Sequence, residues 1–272
     1  MKRLTNRVAV VTGAAGGIGR ATSERLAAEG CHLALVDVDA NGLAETAREV
    51  ERRGRRASLH VLDVGDRAAM TALPEQVVRE HGGVHVLVNN AGVTIAHTFE
   101  DHSIEDLQWI IGVNLWGVLF GCKFFLPHLL AQDEAHIVNI SSMAGFLGLP
   151  MQSSYSATKF AVRGFSESLG AELASTHVGV TAVFPGPIRT KVLRSSRHAA
   201  DGVVDKLADL LEKHARPPAV VAERIARALR SRQSHVSVGA EAYLTDWFSR
   251  VSPGVAGKLL GWGFALSRPR RA

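Results

Sequence analysis

The sequence predicts an α/β fold built on a doubly wound parallel sheet, in a single domain with a C-terminal helical extension. Short apolar runs of strand length alternate with helical patterns from the first residues onward. Most of these runs are apolar on both sides, which is typical of strands that are covered by helices on both faces of a parallel sheet. The chain has 272 residues, 46% hydrophobic and 21% charged, and this composition excludes a disordered protein.

The elements follow one another in a regular order. A valine-rich run at 8–12 predicts the first strand, and the helix after it spans 18–29 and ends at Gly30. Residues 33–37 form the second apolar run, and a charged amphipathic pattern follows it at 40–53. Further strands are predicted at 58–62, 84–88, 136–141, 180–184 and 235–238, and further helices at 66–80, 113–131 and 153–175.

The net charge of +5 is unevenly distributed. Residues 1–190 hold 16 basic and 19 acidic side chains, whereas residues 191–272 hold 15 basic and 7 acidic ones. The basic excess therefore belongs to the last 82 residues. We expect no nucleic-acid partner, because the part of the chain that carries the strands is mildly acidic.

Other features favour a reduced, cytoplasmic protein. The two cysteines, Cys31 and Cys122, lie in apolar surroundings and predict buried thiols rather than a disulfide framework. The N-terminal segment lacks the apolar region and cleavage site of a signal peptide, and no stretch reaches the roughly 18 apolar residues of a membrane span. The 12 histidines show no metal-binding spacing, so we predict no metal site.

A glycine-rich turn follows the first strand and opens the first helix. It reads Thr-Gly-Ala-Ala-Gly-Gly-Ile-Gly over 12–19. Glycines at such a turn let a phosphate approach the backbone, and the N–H groups and dipole of the helix favour the anion. A turn with a purely structural role is the alternative. The position between a strand and a helix favours a dinucleotide site on a Rossmann-type sheet.

An acidic residue lies where such a site needs one. Asp37 ends the second strand, 18 residues after Gly19. Its carboxylate can accept both ribose hydroxyls of an adenosine and would repel a 2′-phosphate. The alternative is a cap on the next helix, for which Asp39 is the better candidate. The sequence therefore predicts NAD rather than NADP, and Asp63, after the third strand, is expected to contact the adenine amino group.

Tyr155 and Lys159 are four residues apart on a predicted helix and share one face. Tyrosine has a pKa near 10, and a neighbouring ammonium lowers it by stabilising the phenolate. Taken alone, this pair is more often a hydrated helix face. Ser142, which closes a strand 13 residues earlier, can place a hydroxyl beside the phenol at the carboxyl edge of the sheet, where open α/β sheets bind ligands.

Taken together, the motifs resemble the classical short-chain dehydrogenase/reductase family over about residues 5–190. The matching segments, in family order, are 12–19, Asp37, 62–64, 89–92, Asn114, 141–142, 155–159 and 185–190. The resemblance implies that Tyr155 is the general acid/base, with Lys159 lowering its pKa and holding the nicotinamide ribose. It implies that Ser142 binds the substrate oxygen and that Asn114 anchors a water for proton release.

The resemblance also implies a set of cofactor contacts. Asn90 and Gly92 would pass beside the adenosine ribose, and Ile188 and Thr190 would hold the nicotinamide carboxamide. The expected cofactor-binding residues are Gly13, Gly17, Ile18, Gly19, Asp37, Asp63, Val64, Asn90, Gly92, Tyr155, Lys159, Pro185, Ile188 and Thr190. In this family the helix with Trp116 and Phe120 and the Tyr155 helix commonly form a subunit interface. The resemblance therefore implies a homodimer or homotetramer.

Less constrained segments are expected to choose the substrate. Met143, Phe146, Leu149 and Gln152 flank the catalytic residues and predict an apolar pocket for a hydrophobic alcohol or ketone. Residues 191–218 are expected to cover the substrate as a lid within a catalytic domain of residues 1–240. Residues 241–272 form a basic, partly apolar extension, of which 252–272 could contact a membrane surface or pack on a subunit.

The sequence therefore predicts an NAD-dependent oxidoreductase that interconverts a hydrophobic secondary alcohol and its ketone. An epimerase or dehydratase on the same scaffold is one alternative, and a dinucleotide-sensing protein without catalysis is another. The presence of Ser142, Tyr155 and Lys159 together favours the redox enzyme.

Overall fold

The computed structural model describes residues 1–190, Arg197, 215–252, 254, 255 and 258. Within this part of the chain, seven parallel strands form one sheet in the order β3-β2-β1-β4-β5-β6-β7. The strands are β1 Val8–Thr12, β2 His32–Asp37, β3 Ala57–Val61, β4 Val86–Asn89, β5 Ala135–Ile140, β6 Val178–Pro185 and β7 His235–Val238. The order reverses between β1 and β4, which makes the crevice at their carboxyl ends the expected ligand site of a doubly wound sheet.

Helices cover both faces of this sheet, as predicted. The described α-helices are α1 Gly17–Ala28, α2 Ala40–Arg52, α3 Arg67–His81, α4 Ile104–Ile111, α5 Gly117–Leu130, α6 Ser153–Glu172, α7 Pro218–Ser231 and α8 Ala240–Val251. One apolar cluster joins the sheet to α1, α2 and α7. A second joins its other face to α3, α5 and α6. The result is a three-layer α/β/α arrangement with its Rossmann-type topology intact.

The central strands read as apolar runs because both of their faces are buried. Every residue of β1, β4 and β5 is buried. The edge strand β3 alternates instead, and its outward residues Leu59 and Val61 are exposed. This difference is the expected consequence of position in the sheet, since an edge strand loses one covering helix.

The helix starts show which N-terminus is left open for a ligand. Asp39 caps α2 by accepting a hydrogen bond from the Gly42 amide at 3.0 Å, so the prediction of its capping role is confirmed. Asp66 caps α3 through the amides of Ala68 and Ala69. The residue before α1 is Gly16, which has no side chain to cap the helix. The first amides of α1 are therefore free of side-chain caps at the sheet edge.

The structure differs from the sequence prediction between residues 104 and 116. A single helix was expected over 113–131, but helical backbone already begins at Ile104. Ser103 and Asp106 form a reciprocal capping box that starts α4 there. A π-helical turn, Gly112–Trp116, then joins α4 to α5. The whole run Ile104–Leu130 is long and apolar enough to cross a membrane by composition alone, and here it packs against the sheet.

Both cysteines are free and buried, as predicted. Burial raises the pKa of Cys31 and of Cys122 to about 12. Both thiols are therefore held in their unreactive, protonated form.

Candidate functional site: a dinucleotide cradle beside a Ser–Tyr–Lys group

The glycine-rich turn after β1 has the shape that a dinucleotide phosphate requires. Gly13 and Gly17 have φ angles of +67° and +52°, which other residues adopt only with strain. A Cβ on Gly13 would lie 2.7 Å from the Asn90 side-chain nitrogen, and one on Gly19 would collide with the Gly13 carbonyl. Together with the open start of α1, the turn forms a cradle that a pyrophosphate fits.

Asp37 is held against this cradle at the end of β2. Its Oδ2 accepts a hydrogen bond from the Ala15 amide at 2.9 Å, and its Oδ1 accepts one from the Asp39 amide at 3.1 Å. Each carboxylate oxygen keeps a lone pair beyond these contacts. The predicted ribose-binding residue therefore lies beside the phosphate-binding turn, with its orientation fixed by two backbone amides.

Asn90 connects β4 to the cradle. Its Nδ2 donates to the Thr12 carbonyl at 2.9 Å and to the Gly13 carbonyl at 3.2 Å. The Thr12 hydroxyl accepts from the amides of Asn90 and Ala91 at 2.9 and 3.0 Å. Thr12 was not among the residues predicted for the site. It shapes the cradle by joining the ends of β1 and β4.

Three more of the residues predicted to contact the cofactor are Asp63, Val64 and Ile18. Asp63 is exposed, and its Oδ1 accepts a hydrogen bond from the Gly65 amide at 2.8 Å. Val64 is buried, and Gly117 leaves room for it, because a Cβ there would lie 2.7 Å from Val64 Cγ2. Ile18 is half-buried in α1 against the core.

The turn after β6 lies over the start of α1. Pro185 ends β6, and the Gly186 amide donates to the Val238 carbonyl at 2.9 Å. Ile188 pairs with Arg216 through an isolated bridge. Thr190 reaches the cradle itself, since a Cβ on Gly17 would lie 3.2 Å from Thr190 Cγ2. The residues predicted to hold the nicotinamide therefore lie next to the phosphate-binding turn.

Ser142, Tyr155 and Lys159 meet at the carboxyl end of β5. Ser142 Oγ accepts a hydrogen bond from the Ala144 amide at 3.1 Å. Lys159 Nζ lies 5.7 Å from the centroid of the Tyr155 ring. Burial raises the pKa of Tyr155, and the neighbouring Ser142 side chain opposes that rise.

Lys159 is a buried ammonium whose Nζ donates to the Ile140 carbonyl at 3.0 Å. Burial lowers the pKa of Lys159 to about 8, because the low-dielectric surroundings disfavour the charged form. A Cβ on Gly92 would lie 3.4 Å from this Nζ and 3.5 Å from Asn114 Oδ1. Lys159 and Asn114 therefore face one small space beside Gly92.

Asn114 occupies the π-helical turn between α4 and α5. Its Oδ1 accepts from the Val93 amide at 2.8 Å, and its Nδ2 donates to the Val93 carbonyl at 2.9 Å and the Thr158 hydroxyl at 3.2 Å. Such π turns are frequent at functional sites. The side chain thus fixes the loop after β4 to the helix that carries Tyr155 and Lys159.

The comparisons with known proteins match this geometry. The family model described as "short chain dehydrogenase" matches residues 7–201. The chain belongs to the short-chain dehydrogenase family. It is 39% identical over 273 residues to "Putative oxidoreductase SadH" of Mycobacterium tuberculosis, with 99% of each chain covered. It is 34% identical to a "3-alpha-(or 20-beta)-hydroxysteroid dehydrogenase" of Mycobacterium bovis, with 88% of each covered.

A solved structure agrees with the fold. A short chain dehydrogenase/reductase from Burkholderia phymatum, solved in complex with NAD, has a TM-score of 0.81 and 29% identity. The alignment covers 100% of this chain and 99% of that one. As a member of the family, the protein is an oxidoreductase with a nicotinamide dinucleotide as its cofactor. Among the described residues there is no group of three or more His, Cys, Asp or Glu side chains that could hold a metal ion.

Two further hydroxyls, to which the sequence analysis gave no role of their own, bond the backbone or side chains of the candidate site. Ser141 Oγ donates to the Lys159 carbonyl at 2.8 Å. Thr158 Oγ1 donates a hydrogen bond to the Tyr155 carbonyl at 2.7 Å and accepts one from Asn114 Nδ2 at 3.2 Å. Both residues are neighbours of catalytic residues in sequence, which is the one signal that could have indicated them.

The predicted substrate-lining residues divide into two groups. Met143, Leu149 and Gln152 are half-buried, in the chain segment that joins Ser142 to Tyr155. Phe146 is buried instead, with its ring stacked on that of Phe184 at 4.3 Å between centroids. Its ring therefore packs toward β6, and its side chain offers a substrate almost no free surface.

Of the predicted lid, 191–218, only Arg197 and the last residues, 215–218, fall among the described residues. The Arg197 guanidinium lies 4.0 Å from the centroid of the Trp109 ring and 3.7 Å from Asp106 Oδ1. At the far end, the Arg216 amide donates to the Pro187 carbonyl at 3.1 Å. The rest of the predicted lid lies outside the described residues.

Proposed function

We propose that the protein is an NAD-dependent dehydrogenase that interconverts a hydrophobic secondary alcohol and its ketone, with Tyr155 as general acid/base. The observation that carries this proposal is the grouping of three side chains, with the Ser142 hydroxyl near enough to the Tyr155 phenol to oppose the rise of its pKa and the buried Lys159 ammonium 5.7 Å from the centroid of its ring. In this proposal the two hydroxyls act on one substrate oxygen, with Ser142 as hydrogen-bond donor and Tyr155 as proton acceptor.

In the oxidation direction, the Tyr155 phenolate takes the proton of the alcohol hydroxyl while the Ser142 hydroxyl donates a hydrogen bond to the same oxygen. The bound cofactor supplies the acceptor for the hydride that leaves the carbinol carbon. Lys159 stabilises the phenolate, because its ammonium lies beside the ring. In the reduction direction the same tyrosine returns the proton.

Proton release would pass through the space that Lys159 and Asn114 share beside Gly92. The two side-chain atoms of Asn114 already bond Val93 and Thr158. We therefore assign the Asn114 side chain the role of holding the walls of this space around a water. Lys159 Nζ would pass the proton to that water.

The substrate class rests on three half-buried side chains, Met143, Leu149 and Gln152, in the segment between Ser142 and Tyr155. A mainly apolar wall with one amide suits a steroid-sized or fatty-chain alcohol. The hydroxysteroid dehydrogenase relative supports the same class. We also propose a homodimer or homotetramer through α5, where the rings of Trp116, Phe120 and Phe124 stack in a row.

A screen of secondary alcohols with NAD, read by absorbance of the reduced cofactor, tests the proposal. We expect turnover with hydrophobic alcohols that exceeds turnover with short ones. Conversion of a substrate without net cofactor reduction would indicate the epimerase or dehydratase alternative. NAD binding without conversion of any alcohol or ketone would indicate the dinucleotide-sensing alternative.

The cofactor preference is expected to depend on Asp37 and its exposed neighbour Val38. Replacing Asp37→Ser together with Val38→Arg removes the carboxylate that repels a 2′-phosphate and adds a guanidinium that can bind it. We expect the ratio of kcat/KM for NAD over that for NADP to fall at least ~100-fold. Steady-state kinetics with both cofactors measures the ratio.

Asp39→Asn is the matched control, because it removes a carboxylate two residues away and keeps an N-capping side chain for α2. This variant should keep the wild-type ratio. A wild-type protein that prefers NADP would contradict the role given to Asp37.

A further inference from the structure

The last described helix, α8, presents a row of large apolar side chains to solvent. Leu244, Trp247 and Val251 are 66%, 61% and 63% exposed. Their spacing of three and four residues places them on one face of the helix. Tyr243 borders this face, and Val255, after the helix end, is also exposed. We call these five residues the α8 stripe.

The other side of α8 is fixed to the domain. Ala242 is fully buried. The Asp246 carboxylate contacts His235, on the edge strand β7, at 3.1 Å. It also accepts a hydrogen bond from Arg250, one turn further along α8, at 2.7 Å. Because these inward contacts set the rotation of the helix, the α8 stripe faces outward as a consequence of the fold.

The helix begins next to the substrate side of the sheet. Glu241 in its first turn accepts a hydrogen bond from Arg216 Nη1 at 2.6 Å. Arg216 in turn pairs with Ile188 in the turn after β6. The α8 stripe therefore starts close to the loops that surround the proposed substrate pocket.

The sequence from Trp247 to the last residue, Ala272, carries basic but no acidic side chains. It has five basic residues, which are Arg250, Lys258, Arg268, Arg270 and Arg271. Apolar and aromatic side chains beside basic ones are the composition of segments that lie in the interface of a membrane with anionic lipids.

We propose that the α8 stripe, with the basic segment after it, binds the surface of an anionic lipid membrane. Bound in this way, the protein would present the substrate side of its sheet to alcohols and ketones dissolved in the lipid. This second part deepens the proposed function and depends on it, whereas the lipid binding does not.

A second copy of the chain is a less suitable partner for the α8 stripe than an anionic membrane. A two-fold contact would place each stripe and its basic residues against the same residues of the partner. Arg250 is already paired with Asp246 at 2.7 Å, and the four other basic residues of the sequence 247–272 have no acidic residue in that segment of a second copy to match them. Anionic headgroups provide the missing negative charge.

Flotation of the full chain with vesicles tests the inference. We expect the wild type to float with vesicles of phosphatidylcholine and phosphatidylglycerol at least ~10-fold more than with phosphatidylcholine alone. The double variant Leu244→Ser with Trp247→Ser should lose this flotation at least ~10-fold. Its thermal unfolding should match that of the wild type, because both side chains are exposed.

Leu59→Ser with Val61→Ser is the matched control, since these two apolar residues are 44% and 57% exposed on the distant strand β3. The control should float like the wild type. Absence of wild-type flotation would overturn the inference, as would equal flotation of both double variants. A change of oligomeric state in the Leu244→Ser with Trp247→Ser variant, without wild-type flotation, would assign the stripe to a second copy.

The assay separates this inference from the proposed function. Flotation needs no turnover, and oxidation of a water-soluble secondary alcohol needs no membrane. Turnover without flotation would overturn the membrane surface alone. Flotation without turnover of any alcohol would leave the membrane surface supported and contradict the dehydrogenase proposal.

Discussion

Replacing Tyr155 with phenylalanine should lower kcat by roughly 10³-fold or more while the protein still binds NAD. The phenol is the group that receives the proton in the proposed reaction, and phenylalanine has the same ring without it. No hydrogen bond joins the Tyr155 hydroxyl to the backbone among the contacts of the described residues, so we expect the variant to keep the fold of α6 and of the cradle. Steady-state kinetics and NAD titration measure the two quantities.

The chain provides a matched control for this variant. It has two tyrosines, Tyr155 and Tyr243, and Tyr243 is exposed on α8, where its hydroxyl bonds Arg224 at 2.7 Å. Tyr243→Phe should keep wild-type kcat. Wild-type turnover in Tyr155→Phe would show that another group transfers the proton.

The same control allows Tyr155 to be titrated directly. In the Tyr243→Phe variant the tyrosinate absorbance comes from Tyr155 alone. Burial raises the pKa of Tyr155 in the free protein, so the transition should lie above pH 10. Saturating NAD should lower it, because the oxidised nicotinamide adds positive charge near the phenol.

Replacing Lys159 with methionine should have opposite effects on stability and on activity. Lys159 is 3% exposed, and burial lowers its pKa to about 8. Below pH 8 the folded protein therefore holds a poorly solvated charge. We expect Lys159→Met to raise the free energy of unfolding at pH 7 by about 1–3 kcal/mol. Its kcat should fall at least ~100-fold, because the phenolate loses its cation.

The pH dependence of stability follows from the same shift. Between pH 8 and the ordinary lysine pKa near 10.4, the unfolded chain holds a proton at Lys159 that the folded protein has released. The contribution of Lys159 to the free energy of unfolding therefore rises with pH across this window. Lys159→Met should lack that rise, whereas Lys2→Met, which replaces an exposed lysine, should keep it. Urea unfolding at pH 7, 8 and 9.5 measures the difference.

If Lys159→Met had a free energy of unfolding equal to or below that of the wild type at pH 7, the destabilising burial of this charge would be contradicted. Lys159→Arg supplies a second check on its catalytic role. It keeps a cation near Tyr155 and should recover part of the lost kcat. A merely structural lysine would give no such recovery.

The local motifs of the site could be predicted because each carries its own structural context. The glycines between 13 and 19 follow a strand and open a helix, and this context indicated both the turn and its ligand. Tyr155 and Lys159 share a helix face because of their spacing. The seven strands were predicted within two residues at each end, because buried strands have apolar side chains on both faces.

The features that were missed depend on residues far apart in sequence. Thr12 bonds the amides of Asn90 and Ala91, 78 and 79 positions away, and no local pattern indicates such a contact. The burial of Phe146 depends on Phe184, in strand β6 and 38 positions away in sequence. The π turn at Asn114 arises where α4 and α5 join, and apolar periodicity alone does not separate it from a continuous helix.

Transfer of deuterium from a secondary alcohol labelled at its carbinol carbon tests the central claim most directly. With NAD and a hydrophobic alcohol from the screen, the account predicts one deuterium at C4 of the nicotinamide for each ketone formed, on a single face of the ring. Tyr155→Phe should bind NAD and transfer the label at least ~10³-fold more slowly. Loss of the label to solvent, or equal transfer by Tyr155→Phe, would contradict the account.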